Sequence, residues 1–366
     1  MPPALRTPAA AVLLLLAVVN LGVGVAIATE TERTFDFAQV MDWSAEWLSG
    51  GNPYAPPFSL ADYPPSALVV LAPLGALPAH TALTLWIALN VALAGVTAWL
   101  LARWSRAGVW TAALAFAILA LPPFRTLNQF SVASFAPAVA GVLLAGRHPR
   151  LAGVAIGLSL IKPHIGGPAL LWALVSRRWQ TAAIAAATQA ALLAIYLAHA
   201  AVPLNVPGEY LQAIARTQNR GDLIAGETSL QPLVAWLPLT PLTLQMVIAV
   251  ALTGALLLIW SRRGKDVDLT FFAAACLLSL LSFRHLGYNL LLAIPALVWT
   301  VSHEQRRVRI FGFLAFVMLA ASPPTLWRYV VEPAGGGAVA AVAATHAYRA
   351  VVVTLFLVLA ALPGRR

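Results

Sequence analysis

A polar segment, residues 34–65, lies between two apolar regions of this chain and reads TFDFAQVMDWSAEWLSGGNPYAPPFSLADYPP. It combines acidic residues, aromatic residues and paired prolines. Ionisable residues are expensive at membrane depth, and where they occur they usually mark a substrate path. In a chain that is apolar elsewhere, this segment therefore predicts a functional loop between membrane helices.

The rest of the chain has the composition of a membrane protein. Of its 366 residues, 60% are hydrophobic and 10% are charged, whereas a soluble domain carries about 25% charged residues. Apolar runs that approach the length of a hydrocarbon core of about 30 Å recur along the sequence. We predict an all-α polytopic membrane protein, with residues 1–366 forming a single integral membrane domain.

The net charge of +10 reflects membrane topology rather than a nucleic-acid partner, because most basic residues flank apolar runs. The single cysteine, Cys276, lies within an apolar run, so no disulfide framework and no thiolate metal site is expected. We place the basic clusters in the cytoplasm, which makes residues 29–78 and 203–231 extracytoplasmic loops. About twelve spans result: 8–28, 79–102, 108–123, 131–146, 151–161, 165–176, 181–201, 241–260, 268–283, 288–301, 309–321 and 338–361.

Three segments need a decision within this topology. Residues 64–78 are too short to cross the membrane, so we expect a helix along the outer leaflet. Residues 151–176 carry Lys162 near their middle; a hairpin whose tip reaches a polar cavity is preferred over a single kinked span. The first apolar run is either a retained helix or a signal peptide ending near residues 26–29, and its length favours the retained helix.

Asp36 stands at the head of the polar segment. Apolar residues recur at helical spacing behind it, so residues 37–49 are predicted to form an amphipathic helix lying on the membrane. Asp36 is a good N-cap for that helix, with Gln39 completing a capping box, and it is also a candidate general base for an acceptor hydroxyl. The two roles are compatible, because a cap fixes the position of the carboxylate. Asp42 and Glu46 fall on the polar face and are expected to be solvated.

Several cations are assigned to the same outward side as this acidic loop. Lys162 either snorkels or pairs with a helix carbonyl, or it supplies a point charge for a lipid-linked phosphate. His285 binds phosphate or sugar hydroxyls, or simply lies at the interface. Cations converging on an acidic loop favour an anionic ligand, and the candidates for binding its phosphate are Lys162, His164, His285, Arg125 and Arg284, with Arg328 as a further cation.

An ordered set of motifs resembles glycosyltransferase family 87, the membrane mannosyltransferases of the GT-C fold, over roughly residues 30–300. Individually these motifs are weak, and it is their order that makes the set specific. They are Asp36–Phe37 with Gly50–Tyr54; Tyr63–Pro65 with Ala72–Leu74 and Leu77–Pro78; Asn128–Gln129 with Ala152–Gly153, Gly157, Lys162–Pro163 and Arg177–Trp179; and His285 with Tyr288–Leu291 and Pro295–Leu297.

This resemblance implies a GT-C-like bundle of about twelve transmembrane helices, with two juxtamembrane helices in the first extracytoplasmic loop. It implies transfer of a hexose, usually mannose, from a polyprenyl-phosphate donor to a lipid or glycan acceptor at the outward face of the cytoplasmic (inner) membrane. Asp36 occupies the catalytic position and His285 that of a donor-side histidine, while Tyr54, Tyr63 and Gln129 are acceptor or loop contacts. The sequence departs from the family at Asn128, usually glycine, and at Asn289, usually aspartate.

The chemistry expected from the residues agrees with this resemblance. A lipid phosphate is a leaving group that cations stabilise, so a positioned base suffices for an inverting displacement. We therefore expect a metal-independent reaction and no cofactor. Two alternatives remain: a transporter or lipid flippase, and an O-antigen ligase or polymerase, to which the 203–231 loop with its arginines is a partial match.

Overall fold

Helices make up all the regular secondary structure in the described residues of the computed structural model. The structure describes residues 3–28, 35–55, 61–105, 108–119, 129–199, 206–218, 230, 237–261, 269–283, 287–303 and 305–320. The helices are α1 Pro3–Ala28, α2 Phe35–Leu48, α3 Pro65–Gly75, α4 Ala79–Ser105, α5 Gly108–Leu119, α6 Ser131–Leu144, α7 Pro149–Ser159, α8 Pro163–Val175, α9 Trp179–His199, α10 Val206–Gln218, α11 Pro241–Ser261, α12 Leu269–Ser282, a 3₁₀ segment Gly287–Ala293, α13 Ile294–Ser302 and α14 Arg306–Ala320.

Three of the described helices, α4, α9 and α11, are long and apolar enough to cross a membrane. Shorter apolar helices accompany them, among them α3, α6, α8 and α12. The predicted class, an all-α membrane protein, is confirmed. The number of about twelve spans stays a prediction, and the last predicted span, residues 338–361, lies outside the described residues.

Prolines set where several helices begin. Pro65, Pro149 and Pro163 each occupy the start of a helix, namely α3, α7 and α8. Proline suits this position because its fixed φ is helical and its missing N–H has no intrahelical acceptor there. The helix predicted over residues 64–78 is present as α3, which at 11 residues is about 16 Å long and too short to cross a membrane.

The hairpin expected at residues 151–176 is present as α7 and α8. Near its turn, the Ser134 hydroxyl donates to the Lys162 carbonyl at 3.4 Å. At its open end, the Thr181 hydroxyl donates to the Pro149 carbonyl at 3.3 Å. The last turn of α7 lies about half-way along α9, since Gln189 at the middle of α9 donates to the Gly157 carbonyl at 2.6 Å. Lys162 therefore lies within the depth of the helical bundle rather than beyond its end.

Glycines allow α7 to pack closely between α6 and α9. A Cβ atom added at Gly153 would lie 2.6 Å from the Ile184 Cβ, and one added at Gly157 would lie 2.6 Å from the Thr188 Cβ. Small residues at such positions let membrane helices approach until their backbones nearly touch. This packing fixes the height of the hairpin turn relative to α9.

The amphipathic helix of the polar segment differs from its prediction in two ways. It begins at Phe35, so Asp36 lies in its first turn rather than at the N-cap, a shift within the usual uncertainty of helix ends. Its apolar face packs on protein rather than on the membrane: Phe37, Val40 and Trp47 are buried against α3, α4 and α9. Asp42, on the opposite face, is exposed as expected.

Candidate active site

Four separate segments bring the candidate residues together. They are the first turn of α2, the loop before α3, the start of α6 and the turn between α7 and α8. Residues more than 120 positions apart in the chain therefore share one site. The side chains that these segments supply are Asp36, Asp62, Tyr63, Gln129, Ser131 and Lys162.

Asp36 is held by Gln129. The Gln129 side-chain amide, which is buried, donates to the Oδ2 atom of Asp36, which is half-buried. Burial raises the pKa of Asp36, and the positive charge of Lys162 acts in the opposite direction. A carboxylate whose basicity is raised and whose orientation is fixed by a hydrogen bond is suited to take a proton from a hydroxyl group.

Lys162 lies in the hairpin turn and is only 6% exposed. Its Nζ atom donates to the Ser131 hydroxyl at 3.0 Å, and that hydroxyl donates to the Asn289 side-chain oxygen at 2.6 Å. The side-chain oxygen of the neutral Asn289 thus accepts a hydrogen bond from the Ser131 hydroxyl, and the lone pairs of that hydroxyl remain available to the Lys162 ammonium. This chain of contacts holds a buried cation without placing a carboxylate at position 289.

Tyr63 covers the same ammonium group. The Lys162 Nζ lies 5.8 Å from the centre of the Tyr63 ring, within the range of cation–π attraction. Tyr54, by contrast, is 2% exposed and lies behind the loop, where its hydroxyl donates to the Tyr63 carbonyl at 2.8 Å. Asn52 continues this support, because its amide donates to Glu209 of α10 at 2.7 Å. Tyr54 therefore supports the loop that carries Tyr63.

Asp62 is a carboxylate that sequence reasoning missed. It precedes Tyr63 in the loop and is half-buried. Burial raises its pKa to about 6; the Lys162 charge lowers it, and the neighbouring Asp36 charge raises it. The available signal was its position directly before the paired prolines, in a chain with few acids.

Of the remaining candidates, His164 lies in the part of the chain that the structure describes. His164 lies in the first turn of α8, half-buried, and its backbone carbonyl accepts a hydrogen bond from the Ser279 hydroxyl. Arg125, Arg284 and His285 lie outside the described residues, as does Asn128. Of the predicted site residues, the structure thus brings together Asp36, Tyr63, Gln129 and Lys162, and places His164 two residues beyond Lys162.

Comparison with known proteins gives one result. A family model described as glycosyltransferase family 87 matches residues 62–284, which is more than half of the chain. The matched region contains Asp62, Tyr63, Gln129 and Lys162, while Asp36 precedes it. No curated protein and no solved structure matches the chain significantly. The chain belongs to glycosyltransferase family 87 and is a membrane glycosyltransferase.

Proposed function

We propose that the protein transfers mannose from a polyprenyl-phosphate donor to a lipid or glycan acceptor at the extracytoplasmic face of the cytoplasmic membrane. The observation that carries this proposal is the buried Lys162 beside the Asp36–Gln129 pair. A cation at membrane depth is within reach of the phosphate of a membrane-embedded lipid. A water-soluble nucleotide sugar would instead be bound by cations at the aqueous surface of the protein.

The reaction follows from the chemistry of these two groups. The Asp36 carboxylate accepts the proton of the acceptor hydroxyl, and the acceptor oxygen forms a bond to C1 of the sugar. The bond from C1 to the phosphate oxygen breaks, and its electron pair remains on the leaving phosphate. The Lys162 ammonium stabilises that negative charge. One displacement inverts the configuration at C1, and the positive charge of Lys162 serves where other enzymes use a metal ion.

The proposal also includes the arrangement in the membrane. It places the first loop and the 203–231 loop outside, about twelve helices in a GT-C-like bundle, and the basic clusters in the cytoplasm. The hairpin supports it, since the turn with Lys162 lies deep in the bundle while the arginines Arg147 and Arg178 lie at the opposite end of the same helices. Positive residues on the cytoplasmic side then put the turn toward the outer half.

The experiment that tests the function uses membranes containing the protein and polyprenyl-phosphate-mannose labelled in the sugar. We expect the label to move to a new lipid or glycan product whose linkage is inverted relative to the donor. EDTA is expected to leave the rate unchanged. Failure of the labelled donor to react, with transfer from a nucleotide sugar instead, would refute the proposed donor.

A further inference from the structure

Two turns at the open end of the α7–α8 hairpin lie side by side and carry four arginines. The Arg178 guanidinium donates to the Ala145 carbonyl at 3.4 Å, and the Thr181 hydroxyl donates to the Pro149 carbonyl at 3.3 Å. These two contacts join the α6–α7 turn to the α8–α9 turn. We call the resulting surface the arginine patch; its cations, all exposed, are Arg147, Arg150, Arg177 and Arg178.

The described part of the protein does not balance the charge of the arginine patch. Among the residues that the structure describes, carboxylates occur only on α2, on α10 and in the loop before α3. Those segments lie toward the far end of α9, because the Trp47 indole of α2 donates to the Tyr196 carbonyl and Asn52 donates to Glu209 of α10. Since α9 runs for 21 residues, about 30 Å, from the patch, these acids do not neutralise the arginines.

Arg177 has a backbone conformation that suits glycine better than arginine. Its φ is +56°, in the left-handed region, and it follows the C-cap of α8 at Ser176. Helices commonly end with glycine at this position, because glycine has no Cβ to clash there. The turn itself therefore does not need an arginine, and what this side chain adds is positive charge.

Exposed apolar side chains continue the arginine patch along the same helices. Leu151 of α7 is 61% exposed, Leu174 of α8 is 42% exposed and Trp179 of α9 is 63% exposed. Leu151 directly follows Arg150, and Trp179 directly follows Arg178. Tryptophan is enriched where membrane proteins meet the interface between lipid and water. A ligand that fits both parts of this surface has an anionic head and an apolar tail.

We propose that the arginine patch binds an anionic phospholipid, with the headgroup phosphodiester on the arginines and an acyl chain along Leu151 and Leu174. Guanidinium groups match phosphate oxygens in a bidentate manner, and basic clusters at the ends of membrane helices attract anionic headgroups. The N-terminal ends of α7 and α9, which begin at this surface, add positive potential. The 13 residues of α8, about 20 Å, separate the patch from Lys162, so this lipid site is distinct from the proposed donor site.

Native mass spectrometry of the detergent-solubilised, full-length protein measures the affinity for the first bound lipid. We expect phosphatidylglycerol to bind at least fivefold more tightly than phosphatidylcholine with the same acyl chains. Arg147→Gln combined with Arg177→Gly should remove this preference, since each arginine contributes about fivefold. The control Arg306→Gln with Arg307→Gln removes two exposed charges from α14 and should keep the preference. Equal affinities for the two lipids in the wild type, or an equal loss in the control, would overturn the proposal.

Thermal unfolding distinguishes a lipid site from a site for free anions and controls for misfolding. Without lipid, Arg177→Gly should keep or raise the melting temperature, because glycine relieves the positive φ at this position. Phosphatidylglycerol should raise the melting temperature of the wild type more than that of Arg177→Gly, since a ligand of the folded state stabilises it. Inorganic phosphate at the same concentration should have no effect. An equal rise with inorganic phosphate would show a site for free anions and refute the lipid as its ligand.

Discussion

At the level of single residues, two separate hydrogen bonds position the proposed base and the proposed phosphate-binding cation. Gln129 holds the carboxylate of Asp36, and Ser131 holds the ammonium of Lys162. Because Gln129 and Ser131 lie two positions apart at the start of α6, one short segment sets the spacing of base and cation. The proposed reaction requires such a spacing, because the acceptor oxygen attacks one side of the sugar C1 while the phosphate leaves from the opposite side.

Gln129 offers a test of how the base is held. An amide that donates to a carboxylate stabilises its ionised form, so Gln129→Ala should raise the pKa of Asp36 further. We expect kcat/KM to fall about 10- to 100-fold, in line with the loss of a hydrogen bond to a charged group. The acid limb of the pH profile should move to higher pH, since the base would then be protonated earlier as pH falls. As a control for misfolding, the melting temperature of Gln129→Ala should equal that of the wild type. An unmoved acid limb would show that Gln129 does not act through Asp36.

The proposed role of Lys162 in donor binding is tested by measuring the donor KM and the acceptor KM separately. Lys162→Ala removes the charge proposed to bind phosphate, so the donor KM should rise tenfold or more while the acceptor KM stays nearly constant. Lys162→Arg keeps a cation and should recover part of the donor affinity, although its larger planar group fits the turn less well. Steady-state kinetics with each substrate varied in turn measure both constants. Equal donor KM values for Lys162→Ala and the wild type would contradict the assignment.

Sequence reasoning found Asp36 and Lys162 because charges are conspicuous in an apolar chain. It missed Asp62 because an acid beside turn-forming prolines is ordinarily a solvated loop residue. Only the contact between Tyr63 and Lys162, across about a hundred positions of sequence, shows that this loop faces the site. Long-range pairings of this kind have no signature in a single sequence.

At the scale of helices, local patterns predicted the boundaries better than the partners. The apolar runs located α3, α7 and α8 to within a few residues, and in the structure each of these helices begins with a proline. The amphipathic pattern of α2 predicted an apolar face but not what covers it, because protein and lipid bury the same side chains. In the structure, α3, α4 and α9 cover that face.

The close packing of α7 against α9 leads to a stability prediction with a matched control. A Cβ at Gly157 would lie 2.6 Å from the Thr188 Cβ, whereas one at Gly167 in α8 meets nothing within 4 Å. We expect Gly157→Ala to destabilise the protein by about 1–3 kcal/mol through overpacking. Gly167→Ala should be neutral or stabilising, because alanine favours helix over glycine. Thermal unfolding in detergent compares the two, and equal melting temperatures would show that α7 and α9 are not in close contact.

At the scale of the whole molecule, composition alone predicted an all-α membrane protein, and the structure confirms it. The number of membrane spans does not follow from composition, because the lengths of helices such as α6, α7 and α8 are less than the thickness of a hydrocarbon core, about 30 Å. Half-length helices arranged as a hairpin look like separate spans in a hydropathy pattern. The sidedness of the protein therefore needs its own test.

That test uses single cysteines in a Cys276→Ala background, since Cys276 is the only cysteine and is buried. Ser49→Cys, exposed at the end of α2, should react with a membrane-impermeant maleimide added to intact cells. Arg147→Cys, exposed between α6 and α7, should react only after the membrane is permeabilised. Labelling with the reverse pattern would turn the site toward the cytoplasm and refute the proposed orientation.

The proposed mechanism depends on Asp36 as the proton acceptor, and one pair of variants on the same helix tests this role. Asp36→Asn removes the proposed base but keeps the shape of its side chain, whereas Asp42→Asn makes the same exchange on the exposed face of α2. The measurement is the rate of mannose transfer from a polyprenyl-phosphate donor by equal amounts of folded, membrane-inserted protein. We expect Asp36→Asn to lose at least a hundredfold of that rate, as general-base catalysis requires, and Asp42→Asn to match the wild type. Transfer by Asp36→Asn at the wild-type rate would contradict the proposed role of Asp36 as the general base.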